Sequence, residues 1–529
     1  MASRAAVAWG TPACRKLVSL RIADRQVSTS QTSAFTGLRL TAPKPRFLLH
    51  INPHARKIHA RATVAAPPPR INPAKEQYEW DRPEQLEESR PAPVTSPLPQ
   101  GARSTANRDL PSYAEFVEAG STLGLPSRLN WTPVQLPRSA AQVFEALSSA
   151  ALWETLSAPQ SAVQALYGAA RTLYFVAQGL SVASSAGVTV GPINKDSQIT
   201  VQAMLDLYNK GAHRLLGSIM ELYRMDTENV RRGIYRRPHD MDPRHRQWRP
   251  TMWKESNDRL KEFTSEFKER QARQGRKEVL QTAQDASDLS RYPEYYLQNF
   301  HFQSDGWLSD ASAQVYEYST ETLFSGSQDA MQRQTLVPLH YYMRGRNEAD
   351  VRMMDVACGT GRFLTFLKDN YPRAKVYGLD LSPYYLKAAK KNMDYFAEFD
   401  RRVNGYRGLT KAEYIQGNAE QLPVADSSLD VITCVYLFHE LPPKARRNVV
   451  RDAARALKPG GIFVWADSMQ RGDRPEADSN LKYFPKNYHE PYYMSFVDTD
   501  FKRLFADVGM RHESTVLAHV TKVMCFRKM

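Results

Sequence analysis

The feature that most constrains the fold is a strand, a glycine turn and a helix in immediate succession, at residues 351–367. The apolar run 351–357 carries an acid, Asp355, near its end and passes into a loop with two glycines at residues 358–361. Glycines there let the backbone turn tightly and let a ligand approach the main chain above the helix N-terminus. From about Leu336 onward, short apolar runs alternate with helical patterns, which predicts a mostly parallel sheet with helices on its faces.

A second predicted strand follows the first helix and also ends in an acid, Asp380. A carboxylate at the tip of that strand can accept hydrogen bonds from both hydroxyls of a ribose. Ser382-Pro383 then signals the next helix, because serine caps helices and proline suits the first turn. The dinucleotide fingerprint G-x-G-x-x-G has a third glycine where this chain has Leu364, which disfavours a dinucleotide. An acid at the end of the first strand instead suits a ligand with an ammonium group.

Residues 355–361 resemble motif I of class I S-adenosylmethionine-dependent methyltransferases. They are most similar to the form found in the ubiquinone/menaquinone C-methyltransferase type and its "type 11" relatives, with Ala357 where the first glycine usually stands. Further segments match the family in order, and the resemblance covers roughly residues 335–528. These segments are the strand ending at Asp380, residues 414–423, residues 428–442 and residues 455–461.

The resemblance implies a Rossmann-like α/β domain with seven strands, mostly parallel, closed by a C-terminal antiparallel hairpin at residues 514–517 and 522–527. It implies S-adenosyl-L-methionine as the cofactor, with the loop 359–361 and Asp355 at the methionine end and Asp380 at the ribose. The backbone around Asn418 would hold the adenine. The predicted cofactor-binding residues are Asp355, Ala357, Cys358, Gly359, Gly361, Asp380, Leu381, Asn418, Ala419 and Tyr436.

His439 lies where the fourth strand of the predicted sheet opens into the site. Its near-neutral reference pKa would let it take a proton from a hydroxyl or an activated carbon, so it is the candidate catalytic base. The alternative is that the imidazole only lines the cavity. Glu440 reads as a residue at the start of a helix, where an acid is favourable. The aromatic-rich insert 467–497 is either a substrate lid or ordinary packing.

The basic character of the chain comes mostly from its first 70 residues, which hold twelve Lys/Arg and one acid, a net +11 of the total +15. This acid-poor composition, rich in Arg, Ser, Thr and Ala, is typical of an organelle transit peptide, which we place at residues 1–65. We expect import into the chloroplast; the mitochondrion and an ordinary basic tail are the alternatives. Since the other 459 residues carry only +4, we do not expect a nucleic-acid partner.

The segments between the basic N-terminus and the predicted domain differ in composition. Residues 66–135 are Pro-rich and read as a linker with one short helix near residues 112–119. Residues 136–290 look helical, and the otherwise uncharged stretch around Arg171 favours a packed helix over a membrane span, where a central charge is costly. The predicted order ends with a segment at 291–335 that caps the cofactor site and the methyltransferase-like domain at 336–529.

Two other sequence features bear on partners. Basic and aromatic residues interleave between Arg231 and Arg249, a pattern that can grip phosphates and stack on bases, lie on a membrane surface, or form a solvated loop. The four cysteines are scattered and show neither metal-ligand spacing nor a disulfide framework, so we predict no metal site.

Together these expectations favour methyl transfer from S-adenosylmethionine to a small acceptor, apolar or aromatic, with a peripheral membrane contact left open. Quinones, prenyl lipids and pigment-related compounds follow from the type of relative. One alternative is a methyltransferase for RNA or protein, although residues 438–443 lack the Asn/Asp-Pro-Pro-Tyr-like motif of base N-methyltransferases. The other is a non-catalytic assembly factor that binds S-adenosylmethionine and works through its helical N-terminal region.

Overall fold

A computed structural model describes most of the chain beyond residue 158. The described residues are 159–185, 213–249, 251–252, 254–262, 289, 291–303, 305–475, 478–482 and 484–529, with short pieces between 115 and 142. They all belong to one unit, Thr105–Met529. The predicted transit peptide, most of the predicted linker and much of the segment 136–290 lie outside the described residues.

The described strands form one nine-stranded sheet in the order β1-β2-β8-β9-β7-β6-β3-β4-β5. Strands β3 to β7 are parallel to their neighbours among themselves, and β9 runs antiparallel to both β7 and β8. Strands β3 to β9 therefore confirm the predicted seven-stranded fold and its closing hairpin. In chain order the strands are β1 (Glu115–Val117), β2 (Pro126–Leu129), β3 (Arg352–Val356), β4 (Lys375–Asp380), β5 (Glu413–Gln416), β6 (Leu429–Val435), β7 (Leu457–Ser468), β8 (Met510–Ala518) and β9 (Thr521–Lys528).

Strands β1 and β2 were not predicted, and the short helix expected near residues 112–119 is wrong for residues 115–117. Strand β2 pairs parallel to the edge strand β8, and β1 pairs antiparallel to β2. The segment is fastened by Glu513 on β8, whose carboxylate accepts hydrogen bonds from the Thr122 hydroxyl at 2.8 Å and the Ser121 hydroxyl at 3.1 Å. Such short strands have too little periodicity to be recognised in the sequence. They form because β8 would otherwise leave its backbone N–H and C=O groups unpaired at the edge of the sheet.

Helices cover both faces of the sheet. The first α-helices come from the segment that was predicted to be helical, and residues 254–262 are helical as well. None of the described helices is long and apolar enough to cross a membrane. The α-helices are α1 (Pro159–Ser185), α2 (His213–Arg231), α3 (Asp310–Leu323), α4 (Gln328–Arg333), α5 (Leu336–Met343), α6 (Arg362–Asn370), α7 (Pro383–Asn404), α8 (Pro443–Ala456), α9 (Asp478–Leu481), α10 (Phe484–Tyr488), α11 (Tyr493–Val497) and α12 (Phe501–Ala506).

The core divides into two layers because successive residues of a strand point to opposite faces. Met353 of β3 packs with side chains of α6 and α7, whereas its neighbour Met354 packs with side chains of α8 and α12. Helix α7 begins as expected at Ser382, whose hydroxyl accepts a hydrogen bond from the Tyr385 N–H at 3.2 Å. Because β3, β4 and β6 are parallel, their carboxyl ends lie at one edge of the sheet.

Helix α1 joins the methyltransferase-like domain through a set of buried charges that we call the arginine network. Arg171, the lone charge of α1, lies 2.5 Å from Glu321 and 2.6 Å from Asp329. Arg362, the first residue of α6, lies 2.6 Å from Asp240 and 2.5 Å from Asp329. Arg171 is therefore buried among protein charges. The network consists of Arg171, Asp240, Glu321, Asp329 and Arg362.

The segment between Arg231 and Arg249, in which basic and aromatic residues interleave, also contacts the methyltransferase-like domain. Arg246 stacks over the Tyr395 ring of α7 at 4.3 Å, and its guanidinium donates to the Asn392 side chain at 2.6 Å. Arg236 lies 3.2 Å from Asp369 at the end of α6. These contacts are intramolecular, which removes part of the reason to assign this segment to phosphates or a membrane.

Candidate active site

The loop between β3 and α6 has a left-handed backbone at three positions, Ala357, Gly359 and Gly361, with φ of 57°, 55° and 75°. A Cβ on Gly361 would lie 2.9 Å from the Cβ of Ala389, so the close approach of α7 requires glycine there. A Cβ on Gly359 would meet nothing within 4 Å. Ala357 adopts the strained conformation without the freedom of glycine, at the position where the family usually has one.

Asp380 ends β4 and is bound directly to this loop. Its carboxylate accepts hydrogen bonds from the N–H of Gly359 and the N–H of Ser382, both at 2.8 Å. Burial raises the pKa of Asp380 to about 6. The Leu381 backbone also hydrogen-bonds to this carboxylate. An ionised carboxylate offers about four acceptor positions, so these bonds hold the group in place and still leave acceptor capacity for a hydroxyl donor.

A cavity opens at the carboxyl ends of β3, β4 and β6 and contains about 690 Å³ of space, part of it open to solvent. Of the ten predicted cofactor residues, seven line this cavity. They are Ala357, Gly359, Asp380, Leu381, Asn418, Ala419 and Tyr436.

The cavity also has an aromatic lining, most of which comes from residues between β2 and β3. Tyr295, Tyr296, Trp307 and Tyr316 line the cavity together with Tyr385 of α7. The Tyr296 hydroxyl is buried and has no hydrogen-bond partner among the described residues. Since buried polar groups are almost always satisfied, this hydroxyl fits a cavity that receives a polar ligand.

Three of the predicted cofactor residues lie behind the cavity. Asp355 is only 1% exposed and accepts a hydrogen bond from the Thr433 hydroxyl of β6 at 2.6 Å. Burial raises its pKa to about 7. Cys358 is buried, and Gly361 packs against α7. The assignment of Asp355 to an ammonium group stays a prediction.

His439, the predicted catalytic base, lies in a 3-10 turn after β6 and does not line the cavity. Its Nδ1 lies 2.7 Å from an oxygen of Asp467, whose other oxygen accepts from the Phe438 N–H at 2.8 Å. Burial alone would lower the pKa of His439, but Asp467 more than offsets it and raises that pKa to about 10. A protonated imidazole cannot accept a proton, so the base role requires His439 to lose that proton first and stays a prediction.

Beside His439 lies a group of buried acids and histidines that we call the acidic edge, and sequence reasoning missed most of it. Glu440 lines the cavity, so its interpretation as a helix-start residue was wrong; α8 begins three residues later, at Pro443. Burial raises the pKa of the Glu440 carboxyl, and the Trp307 side chain hydrogen-bonds to it. The acidic edge consists of His301, His439, Glu440, Asp467 and Glu490.

Glu490 is a buried acid of the acidic edge, and it faces His301, the second histidine of that group. Its side chain is 0% exposed, and one of its oxygens lies 3.3 Å from Nε2 of His301. Burial lowers the pKa of His301 to about 3 and raises that of Glu490. One signal could have pointed here: Asp467 lies near the end of β7, at the same edge of the sheet as Asp380.

The described part of the insert 467–497 supplies Asp467 and Glu490 to the acidic edge, and its aromatic residues pack beside that group. Tyr493 and Phe496 are buried in the core, with ring centroids 6.3 Å and 6.2 Å from that of His439. No described residue of the insert lines the cavity. Of the two alternatives for this segment, its described part shows packing; Tyr483 lies outside the described residues.

The comparison with known proteins agrees with this geometry. Residues 353–461, which run from β3 into β7, match a family model described as a methyltransferase domain. The chain carries a class I S-adenosylmethionine-dependent methyltransferase domain. This confirms the predicted family and, with it, S-adenosylmethionine as the cofactor.

Curated methyltransferases are similar to part of the chain. A demethylmenaquinone methyltransferase of Geobacillus stearothermophilus is 33% identical over 120 residues, 22% of this chain and 46% of the relative. A fatty-acid O-methyltransferase of Mycolicibacterium smegmatis is 34% identical over 142 residues, 26% of this chain and 46% of the relative. The chain thus spans just under half the length of these two curated relatives.

Among solved structures, magnesium protoporphyrin IX methyltransferase from Synechocystis, with bound S-adenosylhomocysteine, aligns with 39% of this chain and 87% of its own. The sequence identity is 13% and the TM-score 0.29.

Proposed function

We propose that this chain transfers a methyl group from S-adenosylmethionine to a small organic acceptor that is flat or apolar, such as a quinone, a prenyl lipid or a pigment-related compound. One observation carries the proposal. The glycine loop, Asp380 and Asn418 converge on a single cavity that tyrosine and tryptophan side chains also line.

The lining residues fit the cofactor. Asp380 retains acceptor capacity for the ribose beyond its backbone hydrogen bonds. The oxygen of Asn418 accepts one bond, from the Glu420 N–H at 2.9 Å, and keeps a second acceptor position for an adenine amino group. Gly359 exposes its main chain where the methionine end would lie. When bound, the sulfonium supplies an already activated methyl group.

The task that remains for the protein is to orient an acceptor and to exclude water. Tyrosine and tryptophan rings present broad apolar faces, so Tyr296, Trp307 and Tyr316 suit an aromatic or apolar acceptor. Two relatives are named for a menaquinone precursor and for fatty acids, which supports the same class of acceptor.

The test is a transfer assay with the full chain, labelled S-adenosylmethionine and a plastid extract. We expect the label in the organic-solvent fraction, and its loss in Asp380→Ala. The matched control is Asp394→Ala, since Asp394 is an exposed acid of α7.

Other results of this assay would contradict the proposal. Label in RNA or protein would replace it with a macromolecular acceptor. Retained cofactor binding without transfer to any fraction would replace it with a non-catalytic assembly factor.

We also propose that the protein works in the plastid. The support is the acid-poor composition of residues 1–65. A fusion of residues 1–70 to a fluorescent protein should enter isolated chloroplasts and be shortened there. Uptake by mitochondria alone, or by neither organelle, would contradict the proposal.

A further inference from the structure

We propose that His301, Glu440 and Glu490 form a binding site for one divalent transition-metal ion at the edge of the cofactor cavity. The sequence predicted no metal site, because the three residues come from distant segments and share no ligand spacing. The inference concerns a site that the proposed function does not require.

The geometry brings three ligand atoms together, one from each residue, all within 4.8 Å of one another. Nε2 of His301 lies 3.3 Å from an oxygen of Glu490 and 3.9 Å from an oxygen of Glu440. Ligand atoms held at about 2.1 Å from one metal ion are roughly 3 Å apart. Only small side-chain movements are needed to surround an ion.

A second observation is the state of Glu490. Neither of its carboxylate oxygens has a hydrogen-bond partner among the described residues, although its side chain is fully buried. A buried carboxylate without a partner is costly, and such a group commonly indicates an ion or a water molecule. An ion at this place would remove that cost.

The charges around the site point to a dication. His439 is paired with Asp467 at 2.7 Å, and its Nε2 lies 3.9 Å from an oxygen of Glu440. No lysine or arginine of the described residues forms an ion pair with Glu440 or Glu490. One imidazolium therefore serves three carboxylates, which leaves the acidic edge short of positive charge. A divalent ion supplies the missing charge, whereas a monovalent cation leaves it incomplete.

The ligand set narrows the type of ion. One imidazole and two carboxylates suit zinc, manganese or iron(II) better than magnesium or calcium, which prefer oxygen ligands alone. Three protein ligands leave coordination positions open, as in catalytic metal sites. Because Glu440 also lines the cavity, an ion at this site would be reachable from the cavity.

The backbone supports a built site. His301 and His489, the residue before Glu490, both adopt left-handed conformations, with φ of 53° and 47°. Such conformations are uncommon for residues other than glycine and persist where the surrounding structure requires them, which is often at functional sites.

The test measures metal binding directly in the full chain, produced without a polyhistidine tag and stripped with a chelator. Manganese(II) is titrated and followed by the loss of its free-ion electron paramagnetic resonance signal; zinc(II) is measured by equilibrium dialysis. We expect one ion per chain. Glu490→Gln should weaken binding by more than the roughly 10–100-fold that follows loss of an outer-shell partner.

Controls separate this site from surface binding and from the cofactor cavity. Glu398→Gln changes an exposed glutamate of α7 and should bind the ion normally, as should Asp380→Ala. His301→Gln is a second ligand variant in case Glu490→Gln does not fold. The proposal is overturned if the stripped chain binds no stoichiometric ion, or if both ligand variants bind it as well as the unaltered protein.

Discussion

Two groups of buried charges, the arginine network and the acidic edge, differ in how their charges are compensated. In the arginine network, each of the three acids lies within 2.6 Å of at least one guanidinium. In the acidic edge, Asp467 is paired with His439, whereas Glu440 and Glu490 have no arginine or lysine partner among the described residues.

The difference separates a structural role from a functional one. Burying an acid beside an arginine is tolerable because the attraction offsets much of the lost hydration. The arginine network thus fastens α1 and α3 to α6. Buried acids without such partners are unfavourable for folding alone, and groups of this kind concentrate at functional sites. The acidic edge borders the cavity, where a ligand can supply the missing partner.

The largest expected effect on stability follows the removal of one arginine from the arginine network. Arg362→Met leaves Asp240 and Asp329 with Arg171 as their remaining arginine. We expect a loss of about 3–5 kcal/mol in the free energy of unfolding, measured with urea, because removing one partner of a buried ion pair leaves an uncompensated charge. Lys390→Met, at an exposed position of α7, should change the stability by less than about 0.5 kcal/mol. Equal effects of the two substitutions would show that the network is not what fastens these helices.

The opposite sign is expected in the acidic edge. Glu490→Gln keeps the side-chain shape and removes a buried acid whose ionised form burial disfavours, so the chelator-treated protein should gain about 1–2 kcal/mol at pH 8. Thermal unfolding with and without manganese(II) measures this. The ion should stabilise the unaltered protein more than the variant. A variant less stable than the unaltered protein in chelator would contradict the contrast between the two groups.

The smallest effect is expected at Asp355, a buried acid that does not line the cavity. Burial raises the pKa of Asp355 to about 7, so the folded state binds its proton more tightly than the unfolded state does. This contribution to stability is present below about pH 4, the ordinary pKa of an aspartate, and is lost as the pH rises towards 7. Asp355→Asn should therefore reduce the fall in unfolding free energy between pH 5 and pH 7.5, by about 1 kcal/mol or more. Parallel pH profiles for the two proteins would argue against a raised pKa.

The parts of the fold that could be predicted depend on local pattern. Gly359 and Asp380 follow consecutive parallel strands, and the ends of such strands meet at one edge of the sheet, so their proximity follows from chain order. The 2.8 Å bond between them agrees with that reasoning. The same pattern located the cavity residues Asn418 and Tyr436.

The missed parts depend on packing between distant segments. Arg171 and Asp329 are 158 positions apart, and no periodicity links them. His301 lies in a short 3-10 turn, and Glu490 follows a short helix in the insert, so neither position carries a repeating signal. Glu440 was misread because an acid shortly before a helix is also what a helix N-terminus favours.

The central claim, that this cavity holds the cofactor, is tested most directly by calorimetric titration of the full chain with S-adenosylmethionine beside Asp380→Ala. We predict saturable binding at one site in the unaltered protein. In the variant we predict an affinity lower by about 100-fold, or about 2.7 kcal/mol, because the charge-assisted hydrogen bonds to the ribose are lost. Absence of binding to the folded, unaltered chain, or equal affinity in both proteins, would contradict the account.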